Sequence, residues 1–313
     1  MKLLITGCAG FIGINFIKYW LNRHAEDTLV GVDCLTYAAN KKPLQKLVQN
    51  PNFIFYKTDI CDRTEIDRIF QTEKPNTVVN FAAESHVDRS IQNPDIFLKT
   101  NVLGTQVLLD ACLRYGVERY HQISTDEVYG DLPLESGEPF TESSPLKPSS
   151  PYSTSKAAAD LLVLAYYKTY GLPITISRSS NNYGKYQHAE KFIPNIIKRA
   201  GEGIKILIYG DGKNVRDWLY VNDHCSAIDM ILQKGKIGEI YNIGGDNEMP
   251  NLVLAKKILS ILKTEIGIQF VEDRKGHDRR YSLNSQKIKK LGWKPRTLFD
   301  EGLTDTVKWY LKE

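Results

Sequence analysis

The stretch Lys2-Leu-Leu-Ile-Thr-Gly-Cys-Ala-Gly-Phe-Ile-Gly13 decides the fold. An apolar run ends in glycines spaced Gly7-x-x-Gly10-x-x-Gly13, and a helical pattern takes over across Phe11–Arg23. A strand that stops at a glycine turn and feeds a helix brings free backbone N–H groups and the positive helix end to one point. A pyrophosphate binds there, because glycine lets the backbone approach it closely. Asp33 closes the next apolar run, Thr28–Asp33, 20 residues beyond Gly13. A carboxylate at that point accepts hydrogen bonds from ribose hydroxyls and repels a 2′-phosphate, so the two features predict a dinucleotide site preferring NAD to NADP. Asp59-Ile60, after a third strand, is placed to contact adenine.

Outward from this turn the alternation continues. Strands are expected at 52–57, 77–82, 119–124 and 174–178, with helical stretches near 41–49, 64–71, 94–115 and 153–170. Near-continuous apolar strands alternating with helices predict an α/β fold: a doubly wound parallel sheet, Rossmann-like and covered on both faces. This NAD-binding domain takes residues 1–180. Beyond 180 glycine, proline and charge become denser, and a smaller C-terminal substrate-binding lobe is expected over 181–313. Segments at about 215–245 return to the large domain, since 240–244 reads as another strand.

The bulk numbers narrow the class. The 313 residues carry 41 Lys+Arg and 37 Asp+Glu, a formal charge of +4, with 42% hydrophobic and 25% charged residues. That composition suits a folded globular protein and excludes disorder. So small a charge over this length is no nucleic-acid footprint. Five scattered cysteines in no C-x-x-C pair predict reduced thiols, and six histidines in no ligand pattern predict no metal. No apolar run approaches the roughly 18 residues of a membrane span, and glycines break the N-terminal run too early for a signal peptide. The expected location is cytoplasmic, with no membrane partner.

Two further motifs carry chemistry. In Tyr152-Ser-Thr-Ser-Lys156 the phenol and the ammonium share a helix face, and an ammonium beside a phenol favours phenolate, a base for a sugar hydroxyl. In Ser124-Thr-Asp-Glu-Val-Tyr-Gly130 two adjacent carboxylates follow a strand end, where ligands bind in open α/β sheets. Adjacent strand residues face opposite ways, so both reach one substrate only if the chain turns there. A separate acid and base suit removal of water, one carboxylate taking a carbon-bound proton while the other protonates the departing hydroxyl.

The dinucleotide turn, Ser124-Thr125 and Y-x-x-x-K together outline an extended short-chain dehydrogenase/reductase. The chain then resembles, more narrowly, the dTDP-glucose 4,6-dehydratase family. The resemblance rests on FAAESHVDRS (81–90), STDEVYGD (124–131), PYSTSKA (151–157), NNYG (181–184), RDWLYV (216–221) and DRKGHDRRY (273–281), and runs from Met1 to about Leu311. It implies NAD-dependent oxidation at C4 of a nucleoside-diphosphate hexose, loss of water across C5–C6 and hydride return to C6. The product would be a 4-keto-6-deoxy sugar nucleotide for deoxysugars such as rhamnose. By resemblance Tyr152 deprotonates the C4 hydroxyl, Glu127 removes the C5 proton, Asp126 protonates the C6 oxygen, and Thr125 holds the C4 oxygen. Lys156 holds the nicotinamide ribose and tunes Tyr152.

Carried over position by position, the resemblance puts Phe11, Ile12, Asp33, Cys34, Leu35 and Thr36 at NAD. It adds Asp59, Ile60, Ala82, Ala83, Ser85, Thr100 and Asn182. Facing the sugar nucleotide it implies His86, Asn181, Glu190, Lys191, Arg216, Asn251 and His277, the Arg216 fork suiting a diphosphate. Cys8 stands where the family has glycine and is read as filling space. Lys185 replaces a proline and is expected to add positive charge near the diphosphate. The chain is also short for the family, ending soon after Trp309-Tyr310. Alternatives are a UDP-glucose or UDP-N-acetylglucosamine dehydratase. A 4-epimerase would have no use for the carboxylate pair, and a non-enzymatic scaffold would have lost Tyr152 or Lys156. A homodimer is expected through the 94–115 and 153–170 helices, by way of Phe97, Val107, Leu108, Leu161, Leu162 and Ala165.

Overall fold

Strands buried on both faces need apolar side chains at nearly every position, and the runs with that property assemble into one sheet. In this computed structural model, which describes residues 1–135 and 137–312, the strands are as follows. The first six are β1 (Lys2–Thr6), β2 (Thr28–Asp33), β3 (Phe53–Lys57), β4 (Thr77–Asn80), β5 (Arg119–Thr125) and β6 (Ile174–Ser179). Then come β7 (Asn181–Tyr183), β8 (Ile206–Tyr209), β9 (Val215–Tyr220), β10 (Ile240–Ile243), β11 (Glu248–Pro250) and β12 (Ile268–Val271). Seven of them form a sheet in the order β10-β6-β5-β4-β1-β2-β3, every pair parallel. The chain winds one way from β1 to β3 and the other way from β4 onward. The direction reverses between β1 and β4, and the crevice beyond their C-terminal ends is the ligand position of such sheets.

Each face carries its own apolar layer. Ile66, Phe70, Leu108 and Val163, from the helices Arg63–Glu73, Thr105–Arg114 and Pro151–Tyr170, pack one side. Ile14, Ile17, Trp20, Cys225 and Ile228, from Phe11–Arg23 and Val221–Lys234, pack the other. Of the expected 215–245 return, the helix Val221–Lys234 and strand β10 rejoin the large sheet, whereas β9 pairs with β7 and β11 away from it. Most remaining late elements surround a third core of Tyr183, Ile196, Trp218, Leu254, Ile258 and Leu303, while Ile288 packs with Tyr241 and Ile243 of β10. Strands β11-β9-β7 form one small sheet there and β12-β8 another.

Most expected elements stand within two residues of their reading, and the misfits have local causes. The helix expected from 153 begins at Pro151: Ser150 caps it, with Ser153 N–H donating to Ser150 Oγ at 3.1 Å and proline filling the first turn. Strand β4 stops at Asn80, short of 82, because Ala82 N–H donates to the Thr6 hydroxyl at 3.2 Å instead of continuing the ladder. The 94–115 region is a 20-residue helix, Asp95–Arg114, with mean hydropathy 1.3. Contrary to expectation, it is long and apolar enough to cross a membrane, the one such helix among the described residues. Half of that apolar stretch is buried inside the protein, as in a core helix. Leu98–Gly104 within it is π-helical, a form that gathers at functional sites.

Candidate active site

The crevice at the strand reversal holds a cavity of about 400 Å³. At one end stand Asp33, Asp59 and Ile60; at the other, Thr125, Asp126, Glu127, Tyr152 and Lys156. The glycine turn makes its floor. Gly7 has φ +61°, and a Cβ there would lie 2.7 Å from Ala82 N. A Cβ on Gly13 would lie 2.3 Å from the Gly7 carbonyl oxygen, so both positions exclude any side chain and leave bare backbone facing the cavity. Asp33 is fixed to this turn, accepting from Ala9 N–H at 2.9 Å and Leu35 N–H at 2.7 Å. An elongated cavity, a cradle that a Cβ would fill and a carboxylate at its end fit a dinucleotide.

The reacting end is built by two elements. Strand β5 runs straight into a 3₁₀ turn, Asp126–Tyr129, which delivers both carboxylates to one cavity as the sequence required. Thr125 closes the strand, donating to Asp126 Oδ1 at 3.2 Å and accepting from Glu127 N–H at 3.4 Å. The helix Pro151–Tyr170 supplies Tyr152 and Lys156, both buried.

The electrostatics separate the two carboxylates. Burial raises the Asp126 carboxyl well above its ordinary range, and the charges of Glu127 and Asp217 raise it further. Burial also raises Glu127, but Arg274, Lys191 and Arg216 pull it back toward the ionised form. Both are raised, Asp126 further, so of the pair Asp126 is the better acid and Glu127 the better base. The Asp126 Oδ2, Ser124 Oγ and Asn181 Oδ1 atoms are buried with no partner in the protein, although buried polar atoms are ordinarily paired.

One expectation is corrected here. The Tyr152 phenol is raised well above its ordinary value by burial, with Glu127 and Asp126 adding to it, while the neighbouring Thr125 hydroxyl acts the other way. The Lys156 ammonium donates to the Ile123 carbonyl, and burial lowers it to about 8. In this arrangement burial, with the two carboxylates behind it, outweighs the ammonium at the phenol.

Comparisons agree with the geometry. The family model described as GDP-mannose 4,6 dehydratase matches residues 4–306. A dTDP-glucose 4,6-dehydratase of Haemophilus influenzae is 49% identical over 334 aligned positions, covering 99% of this chain and 98% of that protein. The low-salt glycan biosynthesis protein Agl12 of Haloferax volcanii is 49% identical over 312 positions and 99% of both chains. The crystal structure of DesIV, a dTDP-glucose 4,6-dehydratase from Streptomyces venezuelae with NAD and TYD bound, superposes with TM-score 0.96. It is 44% identical and covers 100% of this chain and 97% of that one.

The chain belongs to the dTDP-glucose 4,6-dehydratase family.

Seen as a family member, most positions expected at NAD line the cavity: Phe11, Ile12, Cys34, Thr36, Ala82, Ala83, Ser85, Thr100 and Asn182 among them. Leu35 does not; its N–H holds Asp33 from behind. Of the residues expected at the sugar nucleotide, Asn181, Glu190 and Lys191 line the cavity, whereas His86, Arg216, Asn251 and His277 lie outside its lining. His86 stands just beyond, its Nε2 3.6 Å from Glu190. Arg216 is buried, its fork donates to the Val215 and Asp278 carbonyls at 2.8 and 2.9 Å, and its head stacks on Tyr281 at 4.3 Å. His277 pairs with Asp273 at 2.6 Å, so its charged run is anchored and not a free loop. Asn251 opens its helix with its N–H on the Asn214 carbonyl at 2.9 Å.

The departures from the family pattern resolve as packing. Cys8 is fully buried, and its Sγ occupies the space that Gly31 on β2 leaves open. Lys185 turns toward Asp305 at 3.5 Å and is absent from the cavity lining. Sequence reasoning missed Arg274, whose charge bears on Glu127, and Tyr37, over whose ring Arg89 lies at 3.6 Å. Arg274 sat inside the quoted DRKGHDRRY run, whereas nothing in the sequence marked Tyr37.

Proposed function

We propose that this protein is an NAD-dependent dTDP-glucose 4,6-dehydratase. The observation that carries the reading is the turn Asp126–Tyr129, which puts two carboxylates raised to different extents into one cavity with Tyr152. NAD, held by the bare backbone at Gly7 and Gly13 and by Asp33, would supply the acceptor for the C4 hydride and the donor that returns it to C6. The chain's residues move the protons. Tyr152 Oη takes the C4 hydroxyl proton, and Thr125 holds the resulting carbonyl oxygen. That carbonyl acidifies C5–H, Glu127 removes this proton, and Asp126 protonates the C6 oxygen as the C–O bond breaks and water leaves. Glu127 then returns its proton to C5. Tyr152 is left one proton rich and Asp126 one proton poor, and Thr125, hydrogen-bonded to Asp126 at 3.2 Å and beside the phenol, lies between them. Among the described residues, Asn181, Glu190 and Lys191 hold the sugar nucleotide, with His86 at the rim.

The test is mass spectrometry of products formed in deuterated water from dTDP-glucose, UDP-glucose and UDP-N-acetylglucosamine separately. Loss of one water with deuterium at C5, fastest on dTDP-glucose, is expected. A changed C4 configuration without water loss would make the protein an epimerase, and a faster uridine donor would move it to another dehydratase.

The same reading carries a homodimer, with the interface residues revised. Phe97, Val107 and Leu108 are buried in the chain's own core. Leu98, Leu103 and Leu161, exposed at 47%, 54% and 57%, are among the apolar residues these helices leave for a second copy. An intracellular site of action also fits, since Cys8, Cys34, Cys61, Cys112 and Cys225 are free thiols suited to a reducing compartment.

A further inference from the structure

Behind the reacting end lies a chain of buried polar groups that never reaches the cavity. Arg178, on β6, donates from Nε to Asp160 at 2.9 Å, and the two side chains are 2% and 0% exposed. Its Nη1 donates to the Tyr129 hydroxyl at 2.9 Å. That hydroxyl donates onward to Asn242 Oδ1 on β10 at 2.8 Å, and the Tyr129 ring stacks on Phe140 at 5.0 Å. Asp160 is four residues past Lys156 and eight past Tyr152, on the same face of one helix. Tyr129 ends the turn that carries Asp126 and Glu127.

We propose that Asp160, Arg178 and Tyr129 form a positioning unit that fixes the carboxylate turn relative to the Tyr152–Lys156 helix. The inference rests on the roles given above to Asp126 and Glu127.

Burying a charge pair gains little net stability over well-packed apolar residues of the same volume, because desolvation offsets the attraction. What the pair adds is direction. An Arg fork reaches two fixed acceptors at once, one on the helix and one on the turn, which a cluster of leucines could not do. Apolar contacts would leave the turn free to slide along the helix by some tenths of an ångström. The reaction is sensitive to such slips, since hydride and proton leave adjacent carbons of one sugar ring. None of the three residues lines the cavity, so their effect on substrate passes through the turn and the helix. The stacked Phe140 and the Asn242 acceptor stop the Tyr129 ring from rotating out, completing the brace from the second side.

Tyr129→Phe and Arg178→Lys cut the same hydrogen bond from its two ends, and Arg178→Lys leaves a cation to neutralise Asp160. Each is mixed with dTDP-glucose in a single turnover, reading reduced-nicotinamide absorbance for C4 oxidation and water loss by mass spectrometry. Expected is elimination slower by about 10- to 100-fold with C4 oxidation within about 3-fold of wild type, so that reduced cofactor accumulates. The double variant should be no slower than either single one, as for two ends of one contact. Elimination at the wild-type rate, equal loss of both steps, or additive losses in the double variant would overturn the proposal. If Tyr129→Phe fails to fold, Arg178→Lys alone decides. Wild-type protein that leaves dTDP-glucose intact would overturn the reaction itself, and this proposal with it.

Discussion

Asp126 and Glu127 are one peptide bond apart, yet Asp126 faces Glu127 and Asp217 while Glu127 faces Arg274, Lys191 and Arg216. Glu127→Gln should therefore abolish deuterium exchange at C5, with turnover down by about 10²- to 10⁴-fold, whereas Asp126→Asn should slow water loss and spare C4 oxidation. Arg274 lowers Glu127, so Arg274→Ala should raise it, and the acid limb of kcat/KM against pH should move to higher pH. An unmoved limb would remove Arg274 from the site. Lys156, brought down to about 8, should lose its proton above that pH, and activity should fall there on the alkaline side. The identities and order of these residues were legible in the sequence as STDEVYG and Y-x-x-x-K. Their difference was not, because burial raises both and the charges that separate them come from residues 191, 216, 217 and 274, distant in sequence. Helical spacing likewise showed Lys156 near Tyr152 but could not show the burial, and behind it the two carboxylates, that raise the phenol.

At the scale of elements, the apolar rhythm located strands and helices well, while their ends were decided by hydrogen bonds from other elements, as at Asn80 and Ser150. The π-helical stretch Leu98–Gly104 was invisible to periodicity because it arises from neighbours. Asn101 bridges to the Glu84 carbonyl at 3.0 Å and to Ser155 at 2.8 Å, and a Cβ on Gly104 would lie 2.5 Å from Ile60 Cδ1. Gly104→Ala should push Ile60 into the cavity it lines. The expected result is weakened NAD retention, read by cofactor content after gel filtration, with stability down by only about 1 kcal/mol because a side-chain tip can move. Buried histidines make a second prediction. His121 on β5 and His224 on the Val221–Lys234 helix are both brought down by burial to about 3. The unfolded chain binds their protons below about pH 6.5 and the folded chain does not, so stability should fall on acidification through that window. The slope for both reaches roughly 2–3 kcal/mol per pH unit, and urea midpoints of His121→Gln/His224→Gln should show a flatter dependence.

For the whole molecule, the large sheet was readable because each strand announces itself by local composition. The second lobe was legible as a change of composition after residue 180, but its sheets were not, since β7 and β11 have three residues each and pair with β9 across long sequence gaps. The homodimer belongs to this scale. Light scattering at micromolar concentration should give twice the mass of one chain, and Leu103→Glu with Leu161→Glu should halve it; a single-chain mass for the unmutated protein would dismiss the interface. The order in which the sheet is completed also bears on how the protein is born. Strand β6 leaves the ribosome long before its outer partner β10, and between Ser179 and Ile240 come three strands and two helices of other layers. Through that interval the nascent chain presents a parallel edge with unpaired N–H and C=O groups, the sort of surface on which chains aggregate. Translation halted in this interval would yield a sticky fragment needing a chaperone, not a smaller working cofactor-binding protein.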